Sequence, residues 1–144
     1  MVTMQAAHQL HVWQQAFDAR PESVAAARRK LREVLVAWGW TDPDQWADLV
    51  LISSELISNA ITHASASGDE VKVRLQEIGG DCRLEVTDRR PDLLPPRRPR
   101  PRGEHGRGLL LVQGLVEDMA VVTTRGSKIV WARVLLGTDP ERAA

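Results

Sequence analysis

Ser54-Glu55-Leu56-Ile57-Ser58-Asn59-Ala60-Ile61-Thr62-His63-Ala64 is the stretch on which the reading of this chain turns. Glu55, Asn59 and His63 recur every four residues, which on a helix stacks them in one row. At about 100° per residue that row lies beside the apolar stripe of Leu49, Ile52, Leu56 and Ala60, so it borders a core and not open water. Two readings follow. The row is the ordinary polar edge of an amphipathic helix, with His63 placed favourably near the helix C-terminus. Alternatively it carries chemistry: a carboxylate can accept a hydroxyl proton, and one turn away the amide oxygen of asparagine is a hard, neutral ligand for Mg²⁺ beside phosphate oxygens.

Outward from this helix the pattern stays regular. Its start is expected near Thr41-Asp42-Pro43, where a capping side chain precedes proline, and its end at His63-Ala64. An earlier helix begins around Pro21 and carries Val24, Ala27, Leu31, Val34, Leu35 and Trp38 at helical spacing, ending near Gly39. Leu10 to Phe17 reads as a strand. Glu70 to Leu75 and Arg83 to Val86 alternate at period two about Gly79-Gly80-Asp81, as a hairpin with one buried face does. A short apolar helix is expected over Leu109 to Val116, then strands from Met119 to Thr124 and Lys128 to Leu136 about a turn at Arg125-Gly126-Ser127. The order implies an α+β fold, a two-layer α/β sandwich whose mixed, mostly antiparallel sheet carries its helices on one face.

With 144 residues the chain fits one core. The expected organisation is an N-terminal extension over 1–9, one domain over 10–136 and a C-terminal tail over 137–144. Nineteen basic and nineteen acidic residues cancel, which removes any global attraction to nucleic acid or an anionic membrane. No apolar run approaches the roughly 20 residues that span a bilayer, and the start lacks the basic and apolar regions of a secretory signal, so the expected location is the cytoplasm. Cys82, the single cysteine, reads as a buried packing thiol.

Between Asp88 and Gly108 the periodic pattern stops, and five prolines and seven arginines take its place. A loop this long inside a compact domain is either a functional lid or a solvated, proline-stiffened segment. Its arginines lack the interleaved aromatic residues of a single-strand nucleic-acid surface. They suit neutralising a γ-phosphate or docking an acidic partner. Gly106-Arg107-Gly108-Leu109 closes the loop ahead of a helix. Glycines there let backbone approach a ligand, and the first free N–H groups attract anions, although an ordinary loop end looks the same.

Four blocks in this order, residues 54–64, Val86-Thr87-Asp88, Gly106-Arg107-Gly108-Leu109 and Ile129-Val130-Trp131-Ala132, resemble the histidine-kinase-like ATPase domain of bacterial anti-sigma-factor serine/threonine kinases, in particular the stand-alone regulators of actinobacteria. The resemblance spans roughly Trp13 to Leu136, and its first block is the specific one. It implies the Bergerat-type ATP-binding fold, with ATP and Mg²⁺ as cofactors. Glu55 would be the general base toward a partner's serine, Asn59 the Mg²⁺ ligand, and Asp88 the acceptor for the adenine amino group. His63, Gly106, Arg107, Gly108 and Leu109 would complete the nucleotide site, with 89–106 as the ATP lid. It also implies an anti-anti-sigma protein or a sigma factor as partner, regulation of transcription by partner switching, and a homodimer. The chain departs from the pattern in three places. Asp88-Arg89-Arg90-Pro91-Asp92 stands where relatives often read Asp-x-Gly-x-Gly. Ser127-Lys128-Ile129 stands where they often carry Gly-Lys-Thr, so Ile129 replaces a hydroxyl that supports adenine recognition. The lid itself is rich in arginine. A non-catalytic binding module with a weak nucleotide site is the alternative function.

Overall fold

The computed structural model describes residues 8–64, 68–91 and 114–137. Strand β1 (His11–Asp18) leads through Ala19 to Pro21 into helix α1 (Glu22–Ala37), a short 3₁₀ turn (Pro43–Gln45) and helix α2 (Ala47–Ala64). Strands β2 (Glu70–Ile78), β3 (Asp81–Asp88), β4 (Asp118–Thr124) and β5 (Ser127–Leu135) follow. They form one five-stranded sheet in the order β1-β2-β3-β5-β4. Each of its four interfaces is antiparallel, so the mixed character expected from the sequence does not arise among the described strands.

Alternation determines which side of the sheet is core. Val71, Val73 and Leu75 on β2, Cys82, Leu84 and Val86 on β3, and Val130, Ala132 and Val134 on β5 all point to one face and are buried. Against that face α2 lays Leu49, Ile52, Leu56 and Ala60, and α1 lays Ala27, Leu31 and Leu35, as the helical spacing required. Hence both described helices cover the same face. The opposite face carries Lys72, Arg74, Arg83, Glu85 and Arg133, partly organised by an Arg133–Asp81 pair at 2.9 Å and by Arg83 lying 4.5 Å over the Trp131 ring.

Turn chemistry links the layers. Gly79 and Gly80 both have positive φ, 57° and 91°, which is the backbone a two-residue hairpin loop needs and few side chains tolerate. Helix α1 ends in a Schellman motif: Gly39 at φ 94° donates to the Val36 carbonyl, and the Trp40 N–H donates to the Leu35 carbonyl at 3.0 Å. That reversal buries Trp40. The next segment differs from the expected continuous helix. Gln45 and Trp46 bond back three residues, to the Asp42 and Pro43 carbonyls, while the Trp46 indole N–H donates to the Trp40 carbonyl at 2.9 Å. The tryptophan is thereby held inward and the chain makes a tight 3₁₀ turn before α2 begins. Of the expected helix over Leu109 to Val116, only 114–116 fall among the described residues: 114 and 115 are helical and Val116 is not. No described helix is long and apolar enough to cross a membrane.

Candidate functional site

Helix α2 presents Glu55, Asn59 and His63 as a half-buried row at the border of the core, where the periodicity put them. Its small hydroxyl residues look after themselves: Ser53, Ser54 and Thr62 each donate to the carbonyl four residues earlier. Arg28 of α1 donates its Nε–H to Ser54 Oγ at 3.0 Å, which ties the two helices together one residue before Glu55. Glu55 and Asn59 are different. Among the described residues neither side chain takes part in a hydrogen bond or ion pair. Half-buried polar groups without internal partners are available to a ligand or to solvent.

The floor opposite this row comes from β3 and β5. Asp88 and Lys128 are direct partners across the two strands, and both side chains are 1% exposed. Lys128 Nζ lies 3.3 Å from Asp88 Oδ2 and 2.9 Å from His63 Nδ1. Since an ammonium only donates, that ring nitrogen is the acceptor in this contact. Arg90 closes the group from the side, donating its backbone N–H to Asp88 Oδ1 at 2.8 Å and its guanidinium to the His63 carbonyl at 3.3 Å. The Lys128 approach to Oδ2 is an ion pair and not a hydrogen bond, so Oδ2 is buried beside the ammonium without a hydrogen-bond donor.

Among the described residues these groups border a small pocket of about 10 Å³, lined by Leu56, Asn59, Ala60, His63, Asp88, Lys128 and Val130, and Asp88 also lines a hollow of about 120 Å³ with Glu70, Lys72, Thr87, Arg89 and Ser127. The structure thus brings Asn59, His63 and Asp88 together around one point. Glu55 is one turn before Asn59 on α2 and is not among the residues lining the pocket. Gly106, Arg107, Gly108 and Leu109, with Asp92 and nearly all of the expected lid, lie outside the described residues. Two broader hollows, about 320 and 370 Å³, open on the other face of the sheet beside Arg74–Glu85 and Arg83–Trp131. Their walls mix amides and apolar side chains with the Arg74–Glu85 and Arg133–Asp81 ion pairs, whereas the small pocket gathers Asn59, His63, Asp88 and Lys128.

One expectation is corrected. Ile129 does not belong to the adenine side of the site: it pairs with Thr87 and Val122 and points to the opposite face, because neighbouring strand residues alternate. The residue that faces Asp88 is Lys128, which the sequence reading did not single out. A signal for it existed. Lys128, Val130, Ala132 and Val134 alternate in one register, so a lysine at the head of an apolar face has to be buried or mark an edge. Among the described residues no cluster of three His, Cys, Asp or Glu side chains has a metal-holding arrangement, and the Asn59 amide oxygen is a neutral hard ligand beside the pocket.

Comparison with known proteins agrees with this geometry. Residues 17–134 match the histidine kinase-like ATPase domain. No curated protein matches the chain. Among solved structures, the RsbU and RsbW domains of Rv1364c from Mycobacterium tuberculosis superpose with a TM-score of 0.65 at 25% identity, over 88% of this chain and 32% of that one. This chain therefore spans about a third of the length of that relative.

Proposed function

The chain belongs to the histidine kinase-like ATPase domain family, and from that premise we propose that it binds ATP with Mg²⁺ between α2 and the β3–β5 floor. We further propose that it acts as an anti-sigma-factor-type protein serine/threonine kinase, regulating transcription by partner switching from the cytoplasm. The observation that carries the reading is Asp88 Oδ2, a buried acceptor without a donor, set across one pocket from the unengaged amide of Asn59. An adenine amino group would supply that oxygen with a hydrogen-bond donor, and a hydrogen bond to a charged group is worth about 1.5–3 kcal/mol.

Each residue then has a task. Asp88 reads the base, and Arg90 holds its carboxylate in place through the N–H on Oδ1. Asn59 offers its amide oxygen to Mg²⁺, which when bound neutralises charge on the β- and γ-phosphates. Glu55, half-exposed beyond the pocket wall, is free to take the proton from a serine hydroxyl brought by a partner protein. Gly106, Arg107 and Gly108 suit the phosphate side by their chemistry. The partner is an anti-anti-sigma protein, a sigma factor or both, a reading supported by the likeness to a structure containing an RsbW domain.

Incubating the protein with Mg-ATP and candidate antagonists tests the kinase step. Phosphoserine should form on one of them and vanish in Glu55→Ala. No Glu55-dependent phosphoserine on any antagonist encoded nearby contradicts catalysis. A second reading, a non-catalytic binding module, is favoured by the small volume of the pocket. Calorimetry separates the two, since tight, Mg²⁺-dependent ATP binding that is lost in Asn59→Ala rules out the second.

A further inference from the structure

A pocket of about 10 Å³ has room for roughly one water molecule, whereas small-molecule sites run to about 300–1,000 Å³. Lys128 is one of the side chains that line it. Its stem lies along the core face beside Val130, its ammonium is against Asp88 Oδ2 at 3.3 Å, and it donates to His63 Nδ1 at 2.9 Å. All of this is buried: Lys128 and Asp88 are each 1% exposed. The ammonium therefore sits against the one carboxylate oxygen that has no hydrogen-bond donor, the same oxygen a base amino group would use.

We propose that Lys128 is a built-in competitor of the nucleobase: it occupies the Asp88 end of the site, and a purine enters only when the Lys128 ammonium leaves Asp88 and His63. This rests on the nucleotide reading above and adds to it the residue that sets affinity. Leaving is feasible because Asp88 lies at the C-terminal end of β3 and Lys128 one residue into β5, next to the turn, so a rotamer change can carry the long stem outward without disturbing the strands. Departure exchanges the ion pair for a hydrogen bond from the base, and it returns His63 Nδ1 to an acceptor the ligand or solvent can use. Wild-type protein accordingly binds adenine nucleotides weakly. The residue acts on base binding and not on the triphosphate.

The test compares ATP affinity of the wild type and Lys128→Thr, which removes the ammonium and shortens the stem. The dissociation constant should fall at least tenfold. Equal affinities, or weaker binding by the variant, overturn the proposal while leaving the nucleotide reading intact. Removing the cation leaves the buried Asp88 alone and endangers folding, so a second measurement uses the wild type. With imidazole ¹⁵N labelling, the His63 Nδ1 signal should move as ATP saturates the site. An unmoved Nδ1 signal, while the Asn59 amide titrates, overturns the proposal. If ATP shifts no resonance and binds neither protein, the nucleotide reading fails and this proposal fails with it.

Discussion

Glu77 is the residue whose environment says most about what this fold requires. It is 1% exposed, yet its Oε1 accepts from the Trp40 indole and the Gly80 N–H, both at 3.0 Å, and its Oε2 meets His11 Nδ1 at 2.6 Å. One carboxyl group thus joins β1, the hairpin turn and the end of α1, and His11 stacks on Trp38 beside it at 5.1 Å. Glu77→Ala leaves buried donors unmet and should lower stability by about 3 kcal/mol in urea unfolding, more than Glu77→Gln, which keeps an acceptor. Cys82 illustrates the opposite case. Burial foremost, then the nearby Glu77 and Asp81 charges, pushes its thiol well above the usual range. Its contribution to stability is constant below the ordinary thiol range and declines as pH rises above it, because only the unfolded chain then ionises readily. Reaction with a disulfide reagent at pH 8 should therefore proceed only at the rate of unfolding, and fast labelling of the folded protein would refute the assigned burial.

At the scale of elements, α1 and α2 act as a paired layer, and their cores can be tested singly. Leu31 is fully buried between helix and sheet, so Leu31→Ala should cost about 2–5 kcal/mol by urea unfolding. Helices α1 and α2 and every described strand were legible in the sequence, since period 3.6 and period 2 are strong where one face is buried. The stretch before α2 was not. Asp42 does cap, accepting from the Asp44 N–H at 3.0 Å, but the helix signal could not show that Trp46 would turn inward to the Trp40 carbonyl and delay α2 to Ala47. The site was half legible in the same way. Asn59 and His63 follow from a local period, whereas the meeting of Asp88 with Lys128 depends on pairing β3 with β5, which are far apart in the chain. Placing Ile129 in the pocket was a one-residue error in strand facing, and such an error moves a side chain to the other side of a sheet.

For the molecule as a whole, the sheet is a platform with one face committed to the helices and the other left to charged side chains. The polar row of α2 meets the sheet where Asp88 ends β3, which gathers Asn59, His63, Asp88 and Lys128 at one end of the core, away from the Glu77 network at the hairpin turn. Family membership and the superposition with an RsbW-containing structure fit that asymmetry. The central claim is that adenine nucleotide binds there. A backbone ¹⁵N titration with Mg-ATP tests it most directly, because it reports weak binding as well as tight. Shifts should concentrate on Glu55 to His63 of α2 and on Asp88 to Arg90, and should disappear in Asp88→Asn and shrink in Asn59→Ala. Shifts confined to the opposite face, around Gln14, Arg74 and Trp131, or no shifts at millimolar ATP, would contradict the account.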